Sequence, residues 1–284
     1  MLKDIQIEKR RVGHGHPVYI VAEAGLNHGG DLQLAIRMVE TAAAAGADAI
    51  KFQTFDTDRR FGDDEAAKAL VRPAEFDLIQ FETLAHAAKQ NHIHFLSSAF
   101  DGDAVDMLSG LNASALKIAS CDICNIDLLK KAGQAGLPVL LSRGTAGQVE
   151  IDRALQIFDE AHSPLALFHC VSSYPLQVED ANLGAIRSLR EAYDVPIGYS
   201  DHTTGIDIPL HAVYAGACAI EKHYTLDRGL RGIDWEISAT PDELALLVTG
   251  VRLAERVLGH GRIEPLPCEE EEIRYRTSQR MGGG

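Results

Sequence analysis

Eight short apolar runs rich in β-formers alternate with longer amphipathic stretches along almost the whole chain. This alternation constrains the fold more than any other feature. The runs are VYIVAE (18–23), AIKFQ (49–53), HFLSS (94–98), ALKIA (115–119), VLLS (139–142), ALFHC (166–170), PIGYS (196–200) and AIEKH (219–223). Between them lie stretches with helical spacing, at 31–46, 75–90, 125–136, 152–158 and 183–193, and a last one at 241–259. Gly46, Gly136 and Gly259 stand where helices would end, and Asp31 and Asn125 stand where N-caps belong. Eight parallel β/α units over about 245 residues predict a single closed (β/α)8 TIM barrel, an α/β fold. An open doubly wound sheet is the alternative, but GLNHGGD after the first run is not the glycine pattern such sheets use for dinucleotides. Residues 1–16 are predicted as a short N-terminal hairpin across the barrel bottom, 17–262 as the barrel, and 263–284 as a tail. The polar stretch 56–74 is long enough for a lid loop.

Composition narrows the function. The 284 residues carry 41 acidic and 27 basic side chains, a net charge of −14. Proteins that bind the nucleic-acid backbone present basic faces, so a nucleic-acid partner is not expected. Any anionic ligand must instead be held by a few placed cations. No apolar run is long enough for a membrane span, and MLKDIQIEKRRVG lacks the apolar core of a secretory signal. The five cysteines, an odd number, suggest reduced thiols and a cytoplasmic protein. Cys121 and Cys124 have the spacing of half a zinc site, but no second pair matches, and two free thiols are the expected state.

In a barrel of this type, function sits at the C-terminal ends of the strands. Nearly every run delivers polar groups there. In order they are Glu23, Asn27 and His28; Lys51 and Gln53; Ser97 and Ser98; Lys117, Ser120 and Asp122; Ser142 and Arg143; Ser172 and Tyr174; Ser200, Asp201 and His202; and Glu221, Lys222 and His223. A lysine inside an apolar strand is costly unless it meets an anion. For Lys51 and Lys117 that anion is either a neighbouring carboxylate or a ligand. The row of hydroxyls at Ser98, Ser120, Ser142, Ser172 and Ser200 favours a bound phosphate and carboxylate. Strand parity puts Lys51 with Gln53, Ser200 with His202, and Glu221 with His223 on shared faces. If His223 points inward, Lys222 points at the helices and is structural. His202 and His223 end adjacent strands and can share one divalent ion.

The segments VAEAGLNHGGDLQLA, GADAIKFQTF, LKIASCD, HCVSSYP, GYSDHTTG and AIEKHYTLDR occur in this order. The set resembles the sialic acid synthase family, including its spore-coat polysaccharide relatives, from about residue 5 to 280. That resemblance implies condensation of phosphoenolpyruvate with the open-chain aldehyde of an N-acetylmannosamine-like sugar. The products would be a nine-carbon 2-keto-3-deoxy sugar acid and phosphate. It implies a divalent metal, Mn2+ first and Mg2+ or Co2+ as alternatives, held by His202 and His223. Glu23 falls on the carboxylate that works with the metal. Lys51, Ser98, Lys117, Ser120, Ser142, Ser172 and Ser200 fall where phosphoenolpyruvate is held; Gln53, Asp122, Tyr174 and Asp234 fall where the amino sugar is held. Ser172 replaces the family's asparagine, Asp122 its glutamate and Ser98 its threonine, while Arg143 stands where a small residue is usual. A metal-dependent pyruvate aldolase and a non-catalytic phospholigand-binding barrel are the competing expectations. Family members usually continue into a small antifreeze-like domain that offers an arginine to the partner's sugar site. This chain ends at EEEEIRYRTSQRMGGG. The expectation is therefore a homodimer without domain exchange and a more open sugar side, with Arg143 or the 56–74 stretch as substitutes for that arginine.

Overall fold

The structure, a computed structural model, describes residues 3–273. The C-terminal part of the expected tail, residues 274–284, lies outside the described residues. Two short strands come first, β1 (Ile5–Ile7) and β2 (Arg10–Val12), paired antiparallel as the expected hairpin. Eight strands then form a closed parallel barrel: β3 (Tyr19–Gly25), β4 (Ala49–Thr54), β5 (His94–Ala99), β6 (Ala115–Ile118), β7 (Val139–Ser142), β8 (Leu165–His169), β9 (Ile197–Asp201) and β10 (Ala219–His223). Strand β10 closes on β3 with Ala219 opposite Tyr19 and His223 opposite Glu23. All eight lie within a residue or two of the predicted runs.

Alternation along the strands sorts the side chains twice. One parity faces the helices, so Ile20, Ile50, Phe52, Leu116, Leu141, Leu167 and Ile220 join the large core between sheet and helices. The other parity faces the barrel axis and is layered by height. Its lower layer is apolar: Tyr19, Val21, Ala49, Leu96, Ala115, Leu140, Ala166, Phe168 and Ala219 pack with Ile5, Ile7 and Val12 of the hairpin. One step higher on the same faces stand Glu23, Lys51, Ser98, Lys117, Ser142, Ser200 and Glu221, all buried. The hairpin thus seals an apolar floor beneath a polar storey. Gly198 is required by this packing, because a Cβ there would lie 2.6 Å from the Phe168 ring.

Ten helices of four residues or more precede residue 260: α1 (Leu32–Ala44), α2 (Thr57–Phe61), α3 (Glu65–Val71), α4 (Leu78–Gln90), α5 (Gly102–Gly110), α6 (Ile126–Gly133), α7 (Gln148–Glu160), α8 (Gly184–Ala192), α9 (Asp207–Ala215) and α10 (Pro241–Leu258). Asp31 and Asn125 cap α1 and α6 through their side chains, as expected. The 56–74 stretch differs from the loop predicted for it. Asp56 and Asp64 cap α2 and α3, which are too short to show a periodic apolar face in the sequence. Helix α6 ends at Gly133, three residues before the expected limit. Gly133 packs on α7, where a Cβ would come 3.1 Å from that of Ala161. Helix α7 begins earlier than expected because the Glu150 carboxylate accepts the Gly147 N–H. No helix among the described residues is long and apolar enough to cross a membrane.

Lys222 lies outside the barrel axis, as its parity predicts. Its ammonium donates to Asp201 Oδ2 at 2.6 Å and to the Thr203 carbonyl at 2.5 Å, with both ionic side chains fully buried.

Candidate active site

The polar storey opens into one cavity of about 240 Å³ at the C-terminal ends of the strands. Glu23, Lys51, Gln53, Ser98 and Lys117 reach it from β3 to β6. Ser120, just past β6, and Ser142, at the end of β7, follow them around the wall. Ser200, His202, Glu221 and His223 come from the ends of β9 and β10. Tyr174 and Asp234 enter from the segments after β8 and β10. Of the residues expected to hold substrate, Asp122 and Ser172 stand outside this lining. Ser172 remains linked to it, with its hydroxyl 3.2 Å from that of Ser120.

Four buried charges form the cavity's base. Lys51 Nζ lies 2.8 Å from Glu23 Oε2, donates to Ser98 Oγ at 2.8 Å, and stands 3.7 Å from Glu221 Oε1. Lys117 Nζ lies 3.3 Å from Glu221 Oε2 but makes no hydrogen bond, and it rests 4.2 Å above the centre of the Phe168 ring. Sequence reasoning named Glu221 only as the carboxylate beside His223 and gave it no role. In the structure it is the anion shared by both lysines, steadied by a 3.0 Å bond from Ser200 Oγ. Burial opposes its charge, yet Lys117, Lys51 and His223 outweigh that and bring its carboxyl down to about 2. On Lys51, burial likewise opposes the charge, and Glu221 and Glu23 outweigh it, so its ammonium is held above the ordinary value. On Lys117 burial wins and the ammonium is lowered. The two lysines differ because one anion serves both, while Glu23 serves Lys51 alone. Carboxylates thus compensate both lysines, and the Lys117 ammonium lines the cavity without a hydrogen bond.

Burial raises Glu23 to about 7, against the pull of Lys51. Between pH about 4.5 and 7 the unfolded chain has lost this proton and the folded chain keeps it, so rising pH favours unfolding. A Glu23→Gln variant is expected to lack that slope. Over this window wild type should lose roughly 3 kcal/mol of stability relative to the variant. Urea unfolding of both proteins at pH 4.5 to 7.5 measures the difference, and parallel curves would refute the raised value.

The two histidines stand side by side, ring centres 5.6 Å apart. His202 Nδ1 lies 2.7 Å from the Val171 carbonyl, which fixes a proton there and leaves Nε2 with its lone pair. Nδ1 of His223 is buried without a hydrogen-bond partner, 3.5 Å from Asp234 Oδ2. Burial lowers both rings below the ordinary imidazole value, and His223 is lowered further by His202 beside it, so both are neutral at pH 7. Tyr174 covers His202, ring centres 4.1 Å apart. Among the described residues no group of three or more His, Cys, Asp or Glu is arranged as a metal site.

Other polar residues at the strand ends serve the frame. Arg143 directs Nε and Nη2 to His169 Nδ1 at 3.1 and 2.9 Å, and Nη1 to the carbonyls of Gly144 and Ala146. Its donors are thus committed to the loop after β7 and not offered to the cavity. Ser97 faces outward, its hydroxyl 2.8 Å from that of Thr54. Asn27 ties β3 to the segment after β10. Cys121 and Cys124 are exposed free thiols, while Cys170, unassigned by sequence, lines the cavity. Arg60 of α2 stacks 3.2 Å over Phe100, another lining residue, and so fixes the 56–74 segment to the cavity rim.

A closed (β/α)8 barrel with charged, hydroxyl and imidazole groups converging on one cavity defines an enzyme of small polar substrates. The chain belongs to the NeuB family, whose model matches residues 38–263. It is similar to the N-acetylneuraminic acid (sialic acid) synthetase of Leptospira borgpetersenii serovar Hardjo-bovis, solved in complex with citrate. That likeness has a TM-score of 0.96 and 52% identity over 99% of each chain. The N,N'-diacetyllegionaminic acid synthase of Campylobacter jejuni is 38% identical over 271 residues, covering 89% of this chain and 81% of the relative. The N-acetylneuraminate-9-phosphate synthase of Mus musculus is 39% identical over 278 residues, covering 92% and 76%. The chain is accordingly an enzyme of the sialic acid synthase type.

Proposed function

We propose that this protein condenses phosphoenolpyruvate with the open-chain aldehyde of an N-acetylmannosamine-like amino sugar, giving a nine-carbon 2-keto-3-deoxy sugar acid and phosphate. One observation carries the anionic substrate. Lys117 Nζ is buried, has no hydrogen-bond partner, and lines the cavity together with Lys51 and the hydroxyls of Ser98, Ser120, Ser142 and Ser200. A buried cation whose donors make no hydrogen bond, set among hydroxyl donors, is matched by a phosphate and carboxylate on one small molecule. The names of the relatives support the same class of reaction.

The steps follow from the positions of these groups. The lysines and serines hold phosphoenolpyruvate at the base, and Gln53, Tyr174 and Asp234 hold the sugar nearer the mouth. Carbon 3 of phosphoenolpyruvate bonds to the aldehyde carbon, whose oxygen takes up one proton and becomes a hydroxyl, a proton balanced by the one that the attacking water gives up. Water adds at carbon 2 and gives its proton to Glu23, whose value of about 7 suits a general base near neutral pH. The tetrahedral carbon 2 then expels phosphate and becomes the ketone. Holding both reactants in line contributes much of the rate. His202 and His223, neutral and with free ring nitrogens, fit a divalent ion such as Mn2+. When bound there, such an ion supplies Lewis-acid polarisation of the aldehyde oxygen.

Lys117→Met tests the anion cradle. A charge-assisted hydrogen bond is worth about 1.5–3 kcal/mol, so the KM for phosphoenolpyruvate should rise roughly 10- to 100-fold. Initial rates of phosphate release with N-acetylmannosamine report it. An unchanged KM would return Lys117 to a structural role, and carbon–carbon bond formation from pyruvate without phosphate release would identify an aldolase instead.

A further inference from the structure

A hollow of about 470 Å³ lies at the foot of the barrel, where β10 closes on β3, and shares no lining residue with the catalytic cavity. Val18 before β3, Ala217 before β10, Val213 of α9 and Leu258 of α10 give it apolar walls. Arg190, in the last turn of α8, reaches into it. The other arginines that are not exposed, Arg10, Arg143, Arg228 and Arg252, are each hydrogen-bonded or ion-paired. Half-buried Arg190 makes neither contact among the described residues, and its Nε is buried. The guanidinium rests on the backbone of Gly216, where a Cβ would stand 1.9 Å from Nη1. His14 lines the same hollow, and its Nε2 is buried without a hydrogen-bond partner. Burial, aided by the charge of Arg190, holds this imidazole below its ordinary value, so it is neutral at pH 7.

The helix dipole favours a cation in a last helical turn, but that accounts for neither the half-buried guanidinium without an acceptor nor the unpartnered imidazole. The carboxylates nearby are committed elsewhere. Glu255 Oε1 accepts the Val18 N–H at 2.6 Å and Arg252 Nη1 at 2.7 Å. Asp4 Oδ2 lies 2.8 Å from His16 Nε2 and 3.5 Å from Arg11 Nη2. A guanidinium takes an oxyanion through two parallel N–H donors, and a neutral imidazole with its hydrogen on Nε2 donates a third. Tyr214 and Leu258, each about half exposed, stand at the rim and offer apolar surface to the body of such a ligand. We propose that this hollow is a binding site for a small organic anion, its carboxylate or phosphate on Arg190 and His14 and its apolar body against Val213, Tyr214 and Leu258. Cys218 at the hollow and His223 at the catalytic cavity are roughly 16 Å apart along β10, so this ligand does not compete with the substrates.

Fluorine NMR tests the site on the full-length protein. The probes are para-fluorobenzoate and para-fluorophenyl phosphate, with para-fluorobenzyl alcohol as the uncharged control. The same titrations in Lys117→Met subtract any binding at the catalytic lysines. At least one anion should bind about tenfold or more tightly than the alcohol, and the tighter anion identifies carboxylate or phosphate as the preferred head. Arg190→Gln removes no contact within the described chain. It should weaken that anion roughly 10- to 100-fold and leave the alcohol within about twofold. In the unmutated protein the His14 ring signal, assigned with His14→Gln, should move on adding the anion, and its titration midpoint should rise because a bound negative charge favours the imidazolium. Anion affinity unchanged by Arg190→Gln, an alcohol that binds as tightly as the anions, a still His14 signal at saturation, or no binding of either anion at millimolar concentration would each overturn the site. If anion binding vanishes in Lys117→Met, the anions occupy the catalytic cavity and the site is likewise overturned.

Discussion

Replacing His202 with alanine is expected to abolish metal-dependent turnover while leaving the barrel folded. The ring of His202 is buried, bonds one carbonyl, that of Val171, and borders the open cavity rather than the apolar core, so its loss enlarges the cavity and leaves the core intact. Its neutral Nε2 is half of the two-imidazole metal site proposed above. Even a partner that only orients a metal-bound histidine is worth 10- to 100-fold, so loss of the ligand itself should cost at least about 100-fold in activity. The measurement is phosphate release against Mn2+ concentration, with paramagnetic resonance counting bound Mn2+ in both proteins. Wild-type activity in the variant, or undiminished wild-type activity in excess chelator, would remove the metal from the reaction.

Glu221→Gln should be the most destabilising conservative change at the site. It keeps the volume and the hydrogen bond from Ser200, but it leaves the buried Lys51 with Glu23 alone and the buried Lys117 with no carboxylate partner. Breaking a buried ion pair by removing one partner costs about 3–5 kcal/mol. For a domain of this size that lowers Tm by roughly 6–15 °C. The same surplus of positive charge should make the variant a better anion binder. Millimolar inorganic phosphate should therefore raise its Tm more than that of wild type. Equal Tm values for the two proteins would show that Glu221 does not hold the lysines.

Much of this site was legible because a strand has a period of two. That period put Lys51 with Gln53 and Glu221 with His223, and sent Lys222 outward, where the structure pairs it with Asp201. It did not reveal which charges meet across the barrel. Glu221 serves lysines on β4 and β6, more than 100 residues away, and no local pattern encodes that pairing. A usable signal was present: Glu221 is a carboxylate inside an apolar strand, on the inward parity, and the reasoning applied to Lys51 applies to it equally. The fold was clearest where periodicity is long. It was least clear at α2 and α3, where the caps Asp56 and Asp64 carry the information that a five- or seven-residue helix cannot show. The anchoring of the segment after β10 lay beyond sequence reasoning, since Asn27 accepts the Asp234 N–H from 207 residues away.

The sealed floor has a consequence for traffic. Tyr19, Leu96, Leu140 and Phe168 below, with Ile5, Ile7 and Val12 of the hairpin, leave the interior, among the described residues, a single doorway at the top. Lys51 and Lys117 stand directly above this floor, while Tyr174, about half exposed, stands at the doorway. Two guests that share one doorway cannot pass each other. Whatever rests on the lysines is admitted first, and whatever rests against Tyr174 must leave before it can be released.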